Sequence, residues 1–210
     1  MNILSWNIFM NPELIEKRTL DICNIIKKED PDVICLQEVV PQTFNIIKKE
    51  LPTYYLAYNH IYINNSSSRT YGEMIMSKFE FTETSFQKLD SKQGRIVTWA
   101  TTNGYTVGTG HLESYQENEL TRQKQMNMII EKKGPWIWIG DSNMKNDETT
   151  SVSEILPDSV ENTYFGCRFG SYTYEARYDR AYNNGYNADW KKTLKYPTLS
   201  DHDGIMVNIS

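Results

Sequence analysis

Polar residues able to bind a metal, move a proton or donate to a phosphate border short apolar segments throughout this 210-residue sequence. These segments have the composition of buried strands. A side chain at the end of a rigid strand is held in place and still reaches solvent, as a catalytic group must. The residues so placed are Asn7, Glu38, His111, Asp141, Asn143, Asp201 and His202. Their recurrence at one kind of position predicts a single catalytic site.

The residue types indicate phosphoester hydrolysis assisted by a divalent cation. Glu38 supplies a hard carboxylate oxygen suited to Mg²⁺, which usually keeps several waters for a substrate phosphate. Mn²⁺ is a second candidate for the same ligand. Asp141 and His202 can exchange protons and orient an attacking water. Hydrogen bonds to a phosphate whose charge grows toward the transition state can come from Asn7, Asn143 and His111.

Each of these residues also has a structural explanation when it is considered alone. A glutamate after a strand, such as Glu38, is commonly a solvated cap, and Gly140-Asp141 is commonly a turn. Ser200-Asp201-His202 fits an ordinary loop, and Asp179 fits half of an ion pair. The catalytic interpretation is favoured because all the structural explanations would have to hold at once.

Helices and strands alternate along the chain. Asn11-Pro12-Glu13 predicts a helix start, with an N-cap, a proline at the first helical position and an acid in the first turn. Asp30-Pro31-Asp32 ends that helix, and a buried strand is predicted over 33–36. Further helices are predicted over 42–49 and 118–132, and further strands over 2–8, 54–63, 73–77, 95–101, 105–110, 136–139, 178–182 and 204–209. The helices are too few for a doubly wound parallel sheet, so we expect two sheets packed face to face with helices outside.

Composition limits the class of protein. The chain is 39% hydrophobic and 23% charged, which is ordinary for a soluble protein, and its length suits one domain over residues 1–210. It has no apolar run near the roughly 20 residues that span a bilayer and no basic leader, so we expect an intracellular protein without a membrane partner. The three cysteines fit buried thiols in a reducing compartment. A net charge of −5 argues against nonspecific binding of long nucleic acid but allows a local cationic groove.

The order of the polar motifs resembles that of the endonuclease/exonuclease/phosphatase superfamily, to which deoxyribonuclease I belongs. The motifs are Ser5-Trp6-Asn7, Leu36-Gln37-Glu38-Val39, His111-Leu112, Gly140-Asp141-Ser142-Asn143 and Ser200-Asp201-His202. The resemblance extends from residue 3 to residue 207. It implies an α/β (α+β) fold, the four-layer α/β/β/α sandwich with two mixed β-sheets.

Within that superfamily, several segments resemble the 5′-tyrosyl-DNA phosphodiesterases, which remove tyrosine from 5′-phosphate ends. These segments are Gly110-His111-Leu112-Glu113-Ser114, Arg122 with Gln125, Gly140-Asp141-Ser142-Asn143-Met144-Lys145, Thr163-Tyr164 and Arg177-Tyr178-Asp179-Arg180. Lys145 stands where that family has an arginine, so a bidentate fork for phosphate is lost. Tyr164 stands where it has a tryptophan, so aromatic stacking persists over a smaller area.

The resemblance implies a division of labour among the polar residues. Glu38 binds Mg²⁺, with Asn7 and Asp201 in or near its hydration shell. Asp141 positions and activates the attacking water, and Asn143 assists it.

Other residues act on the substrate in this interpretation. His111 and His202 stabilise the phosphoryl oxygens, and Asp179 orients His202. The substrate-binding residues implied are Ser114 and Lys145 at the phosphates, Tyr164 against the terminal nucleotide, and Arg180.

The function that follows is Mg²⁺-dependent hydrolysis of 5′-phosphotyrosyl bonds between protein and nucleic-acid 5′ ends, leaving a 5′-phosphate. We expect a monomer whose partner is a nucleic-acid end carrying a tyrosine or protein adduct. The main alternative is another phosphoesterase of the same superfamily: a nuclease, a phosphoinositide phosphatase or a sphingomyelinase. A non-catalytic binding module of the same fold is the third reading, and retention of Glu38, Asp141 and His202 counts against it.

Overall fold

The computed structural model describes residues 1–58, 71–157, 159, 161–170 and 173–210. Three α-helices lie in this part of the chain: α1 (Ile15–Glu29), α2 (Pro41–Glu50) and α3 (Glu119–Ile130). The strands in its first half are β1 (Asn2–Asn7), β2 (Val33–Val39), β3 (Tyr55–Tyr58), β4 (Gly72–Ser77), β5 (Phe81–Lys88), β6 (Ile96–Thr102) and β7 (Tyr105–Gly110). Those in its second half are β8 (Trp136–Asp141), β9 (Ser153–Glu154), β10 (Tyr164–Phe165), β11 (Glu175–Ala176), β12 (Asp179–Asn184), β13 (Ala188–Leu194) and β14 (Gly204–Ile209).

Two six-stranded sheets form the centre of the fold. The first has the order β13-β14-β1-β2-β4-β3 and the second β5-β6-β7-β8-β12-β9. Each sheet contains one parallel pair, β1 with β2 in the first and β7 with β8 in the second, while its other pairs are antiparallel. Both sheets are therefore mixed, as the resemblance implied.

Alternation along the strands creates the four layers. On β1, Ile3 joins the apolar layer between the two sheets, whereas its neighbour Leu4 packs on the opposite face under α1 and α2. On the second sheet, Trp136 and Trp138 pack against α3. Because strand side chains alternate between faces, one apolar strand supplies both layers. The α/β/β/α sandwich predicted from the sequence is confirmed.

The predicted start of α1 is wrong by several residues. The side chain of Asn11 accepts a hydrogen bond from the Glu13 amide at 2.8 Å, which is an Asx turn rather than a helix cap. The helix begins at Ile15, after Leu14 in the left-handed conformation with φ 51°. An Asn-Pro-acid segment thus serves as the turn that precedes this helix.

Five strands were not predicted: the two-residue strands β9, β10 and β11, and the longer strands β5 and β13. β5 and β13 each lie at an edge of a sheet, and most of their side chains are exposed or half-buried. The predicted strand over 54–63 forms β3 up to Tyr58, and its remainder lies outside the described residues.

The three cysteines are free thiols, but only two of them are buried. Burial raises the pKa of the Cys23 thiol to about 12, and Cys35 is also buried. Cys167 is exposed in a short 3₁₀ turn, so the prediction of buried thiols is wrong for it. In the part of the chain that the structure describes, no helix has both the length and the apolarity to cross a membrane.

Gly140 lies where the two strands that carry His111 and Asp141 come close together. A Cβ at Gly140 would lie 2.4 Å from the carbonyl oxygen of Gly110, a main-chain atom that cannot move aside cheaply. We expect Gly140→Ala to lower the free energy of unfolding by about 3 kcal/mol, as overpacking does. Urea unfolding followed by circular dichroism measures this loss.

Gly110→Ala is the matched control for that experiment. A Cβ there would meet its nearest neighbours, on Trp138 and Val97, at 3.4 Å, an ordinary contact. We expect a loss below about 1.5 kcal/mol. Equal losses in the two variants would show that close packing at Gly140 is not what excludes a side chain.

Candidate active site

The two parallel strand pairs bring the candidate residues to one edge of the sandwich. Asn7 ends β1 and Glu38 lies at the end of the neighbouring β2. His111 follows β7, and Asp141 ends β8, with His111 and Asp141 forming an isolated parallel bridge. Neighbouring parallel strands end at the same edge of a sheet, and the sandwich places the two edges side by side. The site is therefore built by both sheets.

Asp141 is the centre of the polar cluster. Its Oδ2 atom accepts a hydrogen bond from the Asn7 side chain at 2.9 Å and lies 3.2 Å from Nε2 of His111 and 3.6 Å from Nε2 of His202. Its Oδ1 atom accepts a hydrogen bond from the Asn143 amide at 3.0 Å. Burial alone would raise the pKa of Asp141, but the two histidines and these hydrogen bonds outweigh it and lower that pKa. Asp141 is therefore an anion in the resting site.

Glu38 reaches this cluster through an irregular strand end. The pairing of β2 with β4 shifts register between Leu36 and Val39, and Glu38 itself has φ 59°. A non-glycine residue in the left-handed region is uncommon, and such residues concentrate at functional sites. Its carboxylate accepts hydrogen bonds from the Asn7 side chain at 3.2 Å and from the Met10 amide at 2.8 Å.

His202 and Asp179 form a second buried pair beside Asp141. Nδ1 of His202 lies 2.8 Å from Oδ2 of Asp179, which the predicted orienting role requires. Burial alone would lower the pKa of His202, but the carboxylates of Asp179 and Asp141 raise it well above its ordinary value. His202 is therefore an imidazolium at neutral pH, and its Nε2–H can donate toward the cleft. The Asp179 amide donates to the Thr163 hydroxyl at 2.9 Å, which fixes the start of β12.

A cleft of about 670 Å³ opens beside these residues. One wall is aromatic and was only partly predicted: Tyr164 was, whereas Tyr174 and Tyr178 were not. The ring of Tyr164 lies 5.0 Å from those of Tyr178 and His202. Tyr115 and Gln116, also missed, line the cleft as well. Tyr178 directly precedes Asp179 in sequence, and that adjacency was the available clue.

The predicted phosphate contacts Ser114 and Lys145 both line the cleft. The hydroxyl oxygen of Ser114 accepts a hydrogen bond from the Arg95 guanidinium at 2.7 Å, so its own proton remains available for a ligand. Asn143 also lines the cleft, but its side-chain amide donates to the carbonyl of Leu112 at 3.1 Å. The Asn143 contact with Asp141 is made by the main chain.

Arg180 does not lie in the cleft, and the prediction that it binds substrate is corrected. Its side chain is buried, and its guanidinium donates to the main-chain carbonyls of Met144, Glu148 and Arg177 at 3.1 to 3.2 Å. A guanidinium committed to carbonyls inside the protein cannot also hold a substrate phosphate. Its role is to hold the loop that follows Asp141.

The predicted metal ligands are compatible with Mg²⁺. Asp201 lines the cleft together with Glu38, and burial, reinforced by the charges of Glu38 and Asp141, raises its pKa to about 6. A divalent cation would relieve this crowding of carboxylates. Among the described residues no three or more His, Cys, Asp or Glu side chains form a metal cage. Mg²⁺ needs only one or two carboxylates and completes its shell with water. The donor set fits this cation, with Asn7 beside Glu38.

The fold and the site define a family. The sequence model described as the Endonuclease/Exonuclease/phosphatase family matches residues 4–202. The chain belongs to this family, and the prediction made from its motifs is confirmed.

Several characterised proteins are similar to this chain. Tyrosyl-DNA phosphodiesterase 2 of Xenopus tropicalis is 24% identical over 181 residues, which are 76% of this chain and 44% of the relative. A DNA-(apurinic or apyrimidinic site) endonuclease of Dictyostelium discoideum is 28% identical over 167 residues, 70% of this chain and 43% of the relative. The chain therefore spans less than half the length of these curated relatives.

A solved structure supports the fold. The crystal structure of D. rerio TDP2 complexed with single strand DNA product matches with a TM-score of 0.82 at 21% identity, covering 99% of this chain and 98% of that one. The likeness extends over both sheets and shows that the deoxyribonuclease I-like sandwich is the right fold class.

Proposed function

We propose that this protein is a Mg²⁺-dependent phosphodiesterase that hydrolyses 5′-phosphotyrosyl bonds at nucleic-acid ends and leaves a 5′-phosphate. The observation that carries the proposal is the convergence of Asn7, His111 and His202 on Asp141, with Glu38 beside them at the cleft. This set combines an anion that orients water, donors for a phosphoryl group and a carboxylate for a hard cation.

The chain's own residues account for an in-line displacement. A water held by Asp141 attacks phosphorus opposite the tyrosyl oxygen, and Asp141 accepts the proton that the water loses. The bond between phosphorus and the tyrosyl oxygen breaks as the new bond forms. His202, charged through Asp179, donates to the phosphoryl oxygens as negative charge develops there. Nε2 of His111 lies 3.2 Å from the same oxygen of Asp141 that His202 approaches, and His111 contributes the second donor.

Glu38 would hold the cation, with Asn7 and Asp201 next to its waters. When bound, Mg²⁺ neutralises charge on the phosphoryl oxygens and on the leaving oxygen. Mn²⁺ prefers similar oxygen ligands and is expected to substitute.

Two independent features support a tyrosyl-linked nucleic-acid end as the substrate. The relatives include proteins named for tyrosyl-DNA phosphodiesterase activity, and a structural neighbour was solved with a single-stranded DNA product. In this chain the aromatic wall of Tyr164, Tyr174 and Tyr178 lies beside the phosphate-binding residues. Aromatic faces stack on nucleotide bases at single-stranded ends. We further propose that residues 1–210 form a single catalytic domain, and that the protein is monomeric and intracellular.

A tyrosyl-end assay tests the proposal. A single-stranded oligonucleotide with a 5′-phosphotyrosyl group should yield the 5′-phosphate oligonucleotide in the presence of Mg²⁺. Excess EDTA should abolish release, and added Mg²⁺ or Mn²⁺ should restore it. The same oligonucleotide with a 3′-phosphotyrosyl group is the matched control and should remain intact. Tyrosine release that persists in excess EDTA would refute the metal-dependent mechanism.

A nuclease of the same family is the second candidate, because one relative is named as an apurinic or apyrimidinic site endonuclease. A panel separates the two functions: an abasic duplex, the 5′-tyrosyl end, an inositol phosphate and sphingomyelin. Cleavage of the abasic duplex without tyrosine release would favour the nuclease. Cleavage of only the inositol or lipid substrate would favour the other branches of the family.

A further inference from the structure

Arg122 is a buried arginine beside the cleft that has no part in the proposed chemical step. It lies on α3, borders the cleft and is only 1% exposed. Its Nε and Nη2 atoms form a forked pair with the Glu148 carboxylate at 2.9 and 2.6 Å. Its Nη1 atom donates to the carbonyls of Glu113 and Tyr115 at 3.1 and 2.7 Å. The guanidinium is therefore committed to protein groups rather than to a ligand.

These contacts join the two loops that carry the predicted phosphate contacts. Ser114 lies between the two residues whose carbonyls Arg122 holds. On the other side, Oε1 of Glu148 accepts the Lys145 main-chain N–H at 3.0 Å while it is paired with Arg122. A single guanidinium thus holds the backbone on both sides of Ser114 and, through Glu148, the backbone of Lys145.

Two further observations indicate that the loop around Ser114 depends on contacts with α3 for its conformation. Tyr115 has φ 73° and ψ 148°, a conformation that costs energy in a residue with a side chain, and its carbonyl is one that Arg122 binds. Gln125, one turn along α3, accepts the Glu113 amide at 2.9 Å. Helix α3 therefore fixes this loop at several atoms.

We propose that Arg122 is a positioning residue that sets the spacing between Ser114 and Lys145, and thereby the affinity of the cleft for a phosphate at a nucleic-acid end. The inference rests on the proposed function, because it assigns Ser114 and Lys145 to the substrate phosphate. Asp141 and His202 are held by β8, Asp179 and Asn7 rather than by Arg122. Loss of Arg122 should therefore weaken substrate binding more than it slows the chemical step.

The double variant Arg122→Met/Glu148→Met separates this role from folding. Replacing both members of a buried ion pair by apolar residues of similar size is often neutral for stability, whereas removal of one member leaves a buried charge. The double variant should therefore fold, while it loses the contacts with the carbonyls of Glu113 and Tyr115 and with the Lys145 amide. Arg122→Lys is a second variant, which keeps the charge but loses the fork.

We expect KM for the cleaved phosphoester to rise about tenfold in the double variant while kcat stays within about threefold. The dissociation constant of a fluorescent 5′-phosphorylated oligonucleotide, measured by anisotropy without metal, should rise similarly. Lys145→Met should weaken this binding in the wild-type background and have little further effect in the double variant, since coupled residues are not additive. Ile129→Ala, a buried cavity variant on the same helix, controls for general destabilisation and should leave KM unchanged.

The outcomes distinguish this inference from the proposed function. If the wild-type protein binds the phosphorylated end but does not cleave the tyrosyl end, the proposed function is overturned. The role of Arg122 is then still tested by the dissociation constant of the double variant. A folded double variant with unchanged affinity and KM would overturn the role of Arg122. So would a loss confined to kcat, or a full additive effect of Lys145→Met. A wild-type protein that binds no phosphorylated end would overturn both proposals.

Discussion

Asp141→Asn is expected to lower kcat by about a thousandfold or more without unfolding the protein. Oδ2 of Asp141 faces the Asn7 amide and the His202 imidazolium, and Oδ1 accepts the Asn143 amide. A carboxylate satisfies donors at both positions, whereas an asparagine must place its own NH₂ group at one of them. The variant also loses the negative charge that, in the proposed mechanism, orients the attacking water and accepts its proton.

Steady-state kinetics on the 5′-tyrosyl oligonucleotide, with saturating Mg²⁺, measure this loss, and circular dichroism checks the fold. Asp147→Asn is the matched control, because Asp147 is an exposed carboxylate six residues further on, in the loop that follows β8. It should retain full activity. If Asp141→Asn kept more than a tenth of the wild-type kcat, Asp141 would not be the group that activates the water.

Asp179→Asn should lower kcat by roughly a hundredfold to ten-thousandfold, as expected when the carboxylate that orients a catalytic histidine is neutralised. Asp179 lies 2.8 Å from Nδ1 of His202 and is 1% exposed. An amide in its place either accepts from Nδ1–H without a charge or donates to Nδ1 and selects the other tautomer. In both cases the positive charge on His202 loses its main support.

Two measurements separate this effect from a loss of structure. In the metal-free protein, the NMR titration of the His202 ring should show a pKa well above 6.5 in the wild type and a lower pKa in Asp179→Asn. Thr163→Val removes only the hydroxyl that accepts the Asp179 amide, and it should reduce kcat far less. An unchanged His202 titration in Asp179→Asn would show that the Asp179 carboxylate does not control the charge of the ring.

Hydrophobic runs made most of the fold predictable. Val33–Leu36 and Trp136–Ile139 are buried on both faces, so their composition identifies them as strands without any knowledge of their neighbours. β5 and β13 could not be found in this way, because edge strands expose one face and their polar residues mask the pattern. The start of α1 was misplaced because the same residue types favour an N-cap and an Asx turn.

Site residues could be predicted where the functional group itself limits the possible chemistry. They could be predicted less well where the direction of the side chain decides its role. Glu38, His111, Asp141 and His202 were chosen for their functional groups, and the structure brings them together. Arg180 shows the opposite case, since no local pattern says whether a guanidinium points into a cleft or toward buried carbonyls. The roles of the converged residues remain predictions until the variants are measured.

The pairing of β1 with β14 makes the site a late product of synthesis. Asn7 contacts His202 across 195 positions of sequence, and the Ser200 hydroxyl donates to the carbonyl of Asn7. Asn7, which is synthesised near the start of the chain, therefore gains its contact with His202 only when nearly all of the chain has been made. Contacts between such distant residues carry a large loop-closure entropy and form slowly. We therefore expect nascent chains and fragments that end before Ser200 to be inactive, because they lack both His202 and the strand β14 that follows it.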